Sequence, residues 1–361
     1  MPLSPMNTTE SKSHSAKPRT NPSTTLRVKK YFGAFREPLT KIPNLVSSQV
    51  DSFKWLIEHG LEEIFEEFSS IKDFSSKKFQ LDFTGFELAE PKFNEYEAKR
   101  RRLTYEAPLK VKVRVKNMIA GTEKEQEIFM ADFPLMTPRG TFIISGIERV
   151  IVPQLARSFG VFFTSHEPKG KKTFGAKIIP GRGAWIEMET DYDDVVYVRI
   201  DRKRKFPVSI LLRAFGISTN EKILSLFTSL DAKRFVEKTL TKDHTTNVDE
   251  AAIEIHKRLR DGDLAAADNA REFVKSIFDI ERYDLSRVGR FRFNNRFGGK
   301  STPKELDRRT LSIDDLVTII SHMAQLNSTP GAMADDIDHL GSRRVRYVGE
   351  LFQQKIRVGM A

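Results

Sequence analysis

Three aspartates and a histidine, Asp335, Asp336, Asp338 and His339, run directly into Arg343, Arg344 and Arg346 in the stretch DDIDHLGSRRVRYVGE, residues 335–350. Carboxylates at that density could hold magnesium, which takes one or two carboxylates together with substrate phosphates. The arginines favour another chemistry, in which neighbouring acids and guanidinium groups compensate each other, order a loop and leave donors over for phosphate. A single carboxylate among arginines can also accept hydrogen bonds from a nucleobase edge while the arginine forks hold a backbone in register. A second stretch with chemical potential is KIIPGRGAW, residues 177–185, where one of the two tryptophans follows a Pro-Gly-Arg-Gly turn. Trp185 is either presented there for base stacking or buried in a core.

Other catalytic patterns fail. GRGAWI at 181–186 begins as a dinucleotide fingerprint but has Ile186 where the third glycine belongs, and no H-E-x-x-H or phosphate loop occurs. His59, His166, His244, His256, His322 and His339 are scattered, and a lone histidine is more often a surface or core residue than a ligand. The chain has no cysteine, which removes disulfides, zinc-finger spacings, iron–sulfur clusters and thiol nucleophiles and fits a reducing cytoplasm. No apolar run approaches the roughly 20 residues of a membrane span. Sixty Lys and Arg against forty-nine Asp and Glu leave a net charge of +11, a balance that favours polyanionic partners.

These groups need elements to carry them, and 361 residues are enough for two cores. Residues 1–30 hold six Lys or Arg and one Glu among Ser, Thr and Pro, the composition of a disordered basic tail. From Asn44, a candidate cap, the positions Val46, Val50, Phe53, Ile57, Leu61, Ile64, Phe65 and Phe68 recur with helical spacing, and Gly60 reads as a break. LKVKVRVK at 109–116 alternates as a half-buried strand with a cationic ladder of Lys110, Lys112, Arg114 and Lys116, which could face solvent or guard a sheet edge. TFIISGIERVIV at 141–152 reads as a hairpin turning at Ser145 and Gly146, and VVYVRID at 195–201 as a strand. Helices follow at 221–230, 250–260 and 270–281, and Ser312 with Asp315 forms a capping box ahead of the stripe Leu316, Ile319, Ile320, Met323 and Leu326. A mixed sheet followed by helices indicates an α+β fold. The last segment, VGELFQQKIRVGMA, reads as a helix with no stop signal, as if the chain were cut there.

Several stretches together strongly resemble one family. FREPLTKIPNLVSSQVDSFKWL, FMADFPLMTPRGTFIISGIERVIVPQLARS, AKIIPGRGAWIEME, VRIDRKRKFPVSILLRAFG and DDIDHLGSRRVRYVGELFQQKIRVG are similar, in family order, to the β subunit of bacterial DNA-directed RNA polymerase. The resemblance covers residues 31–361 and implies the N-terminal portion of β. It assigns 31–155 to a protrusion domain, 156–335 to a lobe inserted in it, and 336–361 to the return toward the protrusion. It implies a nucleotidyltransferase whose magnesium-binding aspartates lie on the largest subunit, so that this segment has no catalytic or metal residues of its own. The implied partners are that largest subunit (β'), an α dimer, ω, a sigma factor, DNA and nascent RNA.

The same resemblance places the counterparts of Arg157, Trp185, Ile337, Asp338 and Arg343 around non-template DNA, the tryptophan stacking on one base and the aspartate reading a guanine. Arg149, Val152 and Gln154 match the family's N-terminal rifamycin-resistance segment, and Arg199 and Arg202 suit a DNA-facing lobe. Two departures stand beside the pocket: Phe159 where the family usually has proline, and Ser342 where it has asparagine, so the backbone near Arg157 and Arg343 is expected to differ. The alternative reading is a stand-alone, non-catalytic DNA-binding module.

Overall fold

The computed structural model describes residues 43–73, 77–260, 266–280 and 282–360, so the basic stretch 1–30 lies outside it. From Val46 onward, apolar side chains gather into two cores, and the fold is α+β.

The first core begins with the expected helix, but Gly60 does not break it. Ser47–Trp55 is α-helical with Val46 rather than Asn44 at its cap, Leu56–Gly60 is a π turn, and Leu61–Glu67 resumes the α-helix. The wider turn brings Leu56 and Leu61, five residues apart, into the same core, both with no exposed surface. Gly60 is small for packing: a Cβ there would come within 3.0 Å of the Leu56 side chain.

Against these helices lies an antiparallel sheet in sequential order, β1 (Ile71–Lys72), β2 (Phe79–Leu88), β3 (Glu106–Asn117) and β4 (Thr122–Pro134). On β3, Leu109, Val111 and Val113 are buried as their alternation requires. The cationic ladder opposite them does not guard an edge, because β3 is an inner strand. Lys110 meets Glu127 at 2.8 Å, Arg114 meets Glu125 at 3.7 Å, and Lys116 lies between Glu123 and Asp82 at 3.7 and 3.6 Å. Neighbouring strands thus pair Lys110, Arg114 and Lys116 of this ladder with acids. The hairpin follows as β5 (Phe142–Ile144) and β6 (Ile147–Arg149), with Ser145 and Gly146 at φ 51° and 81°, the two-residue turn that matches strand twist. A Cβ on Gly146 would sit 2.6 Å from the Arg102 Cα.

The strand β7 (Gln154–Arg157) leads into the second core. There β8 (Gly160–His166), β9 (Thr173–Ile179), β10 (Ile186–Thr190), β11 (Val196–Ile200) and β12 (Phe206–Pro207) form an antiparallel meander. Helices Val208–Ala214, Leu230–Leu240, Val248–Leu259, Ala267–Ile277, Ser286–Phe297 and Ile313–Ser328 complete this core. The helix expected at 221–230 is shorter, Asn220–Ser225, capped by Thr219, and a separate helix starts at Leu230 behind Ser229. Ser312 and Asp315 do form a reciprocal capping box. Asp315 also receives a two-pronged bond from Arg290 at 2.8 and 2.9 Å, both residues being buried.

The chain returns through β13 (Arg343–Arg346), which pairs with β7, and finishes the described residues in the helix Val348–Met360. That helix docks on the first core. Phe352 stacks on Phe142 at 5.5 Å between ring centres, and Phe53 meets Phe142 edge-on at 5.5 Å. Gln353 donates to the Gly60 carbonyl at 3.2 Å and to Glu63 at 2.7 Å. The closest approach is at Gly349, whose N–H donates to Ser52 Oγ at 3.0 Å and where a Cβ would lie 2.2 Å from the Ser52 carbonyl oxygen. Gly349→Ala must therefore push the two helices apart. We expect it to lower the unfolding free energy by about 1–3 kcal/mol, the usual cost of overpacking, seen as a lower urea midpoint with an unchanged slope. An unshifted midpoint would show that the helices part without cost.

Candidate nucleic-acid interface

The ribbon of β7 and β13 organises the arginine-rich stretch. Its register sets Arg343 opposite Arg157, Arg344 opposite Ala156, Val345 opposite Leu155 and Arg346 opposite Gln154. Directly opposed residues share a face, so Arg157, Leu155, Arg343 and Val345 are sorted by alternation from Arg344 and Arg346. On the second set, Arg344 forks onto Glu350, and Arg346 reaches Glu350 at 3.2 Å and the Gln354 side chain. Burial raises the Glu350 carboxyl, but the Arg344 and Arg346 guanidinium groups outweigh it and hold the carboxyl below its ordinary value. Arg344 also lies 4.1 Å over the Phe159 ring. Phe159, standing where proline was expected, thus supplies an aromatic seat for an arginine.

On the first set, two arginines, Arg157 and Arg343, stand directly opposite each other in the register, which sets like charges on one face. Asp338 relieves this by accepting from Arg343 through Oδ1. Arg157 is exposed and makes no ion pair or side-chain hydrogen bond among the described residues. The Asp338 side chain is 82 % exposed, and among the described residues only Oδ1 is engaged, so Oδ2 can accept a further hydrogen bond. The loop before it is tightly held. Asp336 Oδ1 accepts the N–H groups of Asp338 and His339 at 3.0 and 3.2 Å, His339 Nδ1 accepts the Gly341 N–H at 3.0 Å, and Ser158 donates to the Ser342 carbonyl at 3.0 Å. Asp335 takes both prongs of Arg296 at 2.7 and 2.9 Å and the Phe163 N–H at 2.7 Å. The three aspartates therefore do not fit a magnesium site, since each is turned to a different partner. Among the described residues no cluster of three metal-ligating side chains forms. Ile337 is half-buried on the same loop.

Trp185 belongs to a second group. The turn before it is gripped by Asp284, whose carbonyl accepts the N–H groups of Gly181 and Arg182 at 2.7 and 3.0 Å and whose N–H returns to the Arg182 carbonyl at 2.9 Å. Gly183 has φ 111°, and a Cβ there would come within 2.8 Å of the Arg282 carbonyl oxygen, so glycine serves a close backbone approach. Trp185 is half-exposed and carries the Arg202 guanidinium 5.5 Å from its ring centre. The structure thus unites Trp185 with Arg202, while Arg199 lies apart on β11 and is engaged by Glu189 at 3.4 Å. Phe159 stands between the two groups: its ring seats Arg344, and its edge is 3.6 Å from where a Gly181 Cβ would be.

The segment of Arg149, Val152 and Gln154 runs from the end of β6 to the start of β7. Val152 is 72 % exposed, and Gln49 donates to the intervening Ile151 carbonyl at 2.6 Å.

One contributor escaped the sequence reading. Glu67, at the end of the helix Leu61–Glu67, receives Arg182 at 3.0 Å and Arg357 at 2.7 Å. It ties the tryptophan's turn to the first core and the last helix, and no local spacing signals it. The Arg346–Glu350 pair, by contrast, has the i,i+4 spacing of an ion pair and was readable.

A family model described as RNA polymerase Rpb2, domain 2, matches residues 157–346, more than half of the chain. The chain belongs to the RNA polymerase Rpb2 domain 2 family. The Rpb2 domain 2 match starts at the last residue of β7 and ends at the last residue of β13, so it spans the second core and closes on the ribbon. The chain is 43 % identical over 331 residues to a protein of Syntrophomonas wolfei named DNA-directed RNA polymerase subunit beta, covering 91 % of this chain and 29 % of that one. It is 42 % identical over 351 residues to the protein of that name in Chloroflexus aggregans, covering 88 % of this chain and 28 % of the relative. It therefore spans less than a third of the length of the curated relatives it matches.

If Glu67 sets the Trp185 turn, removing it should loosen the indole's surroundings. In a Trp55→Phe background, Glu67→Ala is expected to raise acrylamide quenching of Trp185 while lowering stability by no more than about 1 kcal/mol, because the ion pairs are partly exposed. Unaltered quenching would mean that Asp284 holds the turn alone.

Proposed function

We propose that this chain is the N-terminal part of a bacterial RNA polymerase β subunit, and that within the assembled enzyme it holds the non-template strand of melted DNA. The observation that carries the reading is the ribbon end. Arg157, with no ion pair among the described residues, stands opposite an Arg343–Asp338 pair that keeps one carboxylate oxygen free, and Phe159, two residues on, lies against Gly181 in the turn that leads to Trp185 and its partner Arg202. A guanidinium can hold a phosphate, an indole can stack on a base, and the free Asp338 oxygen can accept from the N–H groups of a guanine edge. Arg343 fixes the aspartate in advance, so little ordering remains when a base arrives. Ile337, next to Asp338 in the chain, would add an apolar side chain beside the base.

The whole enzyme would copy DNA into RNA from ribonucleoside triphosphates, with magnesium held on the largest subunit and none required here. Its partners would be that subunit, the α dimer, ω, a sigma factor, DNA and the nascent transcript, in the cytoplasm at the nucleoid. No helix among the described residues is long and apolar enough to cross a membrane. Residues 31–155 and 336–361 would form the protrusion and 156–335 the lobe. Arg199 would act through its strand rather than by direct contact, given its pairing with Glu189. The stretch of Arg149, Val152 and Gln154 would border a rifamycin pocket completed by other parts of β.

In the assembled polymerase, Asp338→Ala is expected to abolish a preference for guanine at one non-template position, a loss of roughly 1–3 kcal/mol of discrimination. Complex lifetimes on bubbles differing only at that base measure it, and equal lifetimes for guanine and adenine before mutation would end the base-reading role. Arg157→Ala is expected to make the salt slope of bubble binding shallower by up to about 0.7, the value for one single-strand phosphate contact. An unchanged slope would assign Arg157 to base or protein contacts.

A further inference from the structure

A cavity of about 350 Å³ adjoins the Asp338 loop and is lined by none of the residues assigned above to strand holding. One wall is the helix Ser286–Phe297, which contributes Phe291, Arg292 and Asn295, and the other includes Phe162, Asp336 and His339. Phe291 is 48 % exposed at this cavity, and Asn295, four residues on, shares its helix face. The Asn295 amide makes no hydrogen bond within the protein among the described residues, so it brings both a donor and an acceptor. His339 accepts the Gly341 N–H at Nδ1, which leaves the proton of the neutral ring on Nε2 as a further donor. Asp336 binds the loop's N–H groups through Oδ1, leaving Oδ2 as an acceptor. Arg292 is fixed, with its guanidinium 5.3 Å over the buried Phe162 ring and one N–H on the Gly341 carbonyl at 3.1 Å.

The charges decide what such a cavity can take. Arg296 is paired with Asp335, and the other two charged side chains of the lining, Arg292 and Asp336, are of opposite sign, so the walls carry no net charge with the histidine neutral. That disfavours a phosphate, which gathers uncompensated cations. It suits a flat, uncharged ring with donors and acceptors along its edge. His339 and Ser342, which line the cavity, are the immediate neighbours of Asp338 and Arg343 in the chain. Resting on the strand-holding reading above, we infer that this cavity is a second base subsite. It takes an unstacked nucleobase of the same DNA strand, with Phe291 as the stacking face and Asn295 as the edge-reading group.

The test places 2-aminopurine at successive non-template positions of a synthetic bubble bound to the assembled polymerase. Stacking on a protein ring quenches this base, so Trp185→Ala should relieve quenching at one position. Phe291→Leu, which keeps apolar bulk at an exposed site, should relieve it at a different position and leave the first unchanged. Asn295→Ala should weaken discrimination between adenine and guanine at the Phe291 position, and neither cavity variant should alter the salt slope. If Trp185→Ala acts and Phe291→Leu changes nothing, the subsite is wrong while the strand-holding reading stands. If neither variant changes any position, both fall. A shallower salt slope for Phe291→Leu or Asn295→Ala would replace the base subsite with a backbone contact.

Discussion

The candidate interface depends on one short piece of β-pairing between Gln154–Arg157 and Arg343–Arg346, strands that flank the whole second core. Bringing such distant segments together carries a loop-closure cost that grows slowly with length. The intervening chain offsets it by folding into its own sheet and helices, which hold the two ends in place. The ribbon then concentrates three arginines on four residues of one strand, and the electrostatics follow from that crowding. Arg344 and Arg346 share Glu350 and Arg343 takes Asp338, while Arg157 on the facing strand has no ion-pair partner among the described residues.

Rigidity behind the interface comes from buried ion pairs that are also hydrogen-bonded. Arg213 is enclosed with Asp243 at 3.1 Å, and its remaining donors reach the Ser218 and Thr246 carbonyls and the Asn220 side chain. Burial raises the Asp243 carboxyl, but the bonds from Thr245 and Arg213 outweigh that and hold it below its ordinary value. Arg290 and Asp315 do the same between two helices. Such pairs contribute little net stability, but breaking one strands a buried charge, so they disfavour alternative packings. The helix that carries Arg290 also carries Arg296, which grips Asp335. A buried constraint in the second core is thereby passed to the loop of Asp338.

Much of the fold was legible because its signals are local. The alternation of LKVKVRVK, the Ser145–Gly146 turn and the Ser312–Asp315 box are each set by neighbours within a few residues, and the structure holds all three. Gly60 was misread because a glycine within a helical pattern looks the same whether it ends the helix or lets a π turn pack against a bulky neighbour. The ladder on β3 was open to two readings because its position within the sheet depends on which strands pair beside it. The 221–230 helix was drawn too long because Ser229, which restarts the chain, lies inside an otherwise continuous helical composition.

By itself, the sequence determined which residues could act: a tryptophan after a glycine turn, aspartates ahead of arginines, a basic surplus and no thiols, together with the family that those stretches resemble. Side-chain chemistry and spacing are properties of the chain, so they need no fold to be read. Only the tertiary structure decided which groups remain available. Among the described residues, Arg157 makes no ion pair while Arg199, Arg343, Arg344 and Arg346 are engaged, one Asp338 oxygen is taken and the other left, and Glu67 ties Trp185's turn to the first core. Those outcomes depend on partners far away in sequence, because an ion pair's existence is set by distance in space and only the packed chain fixes that distance.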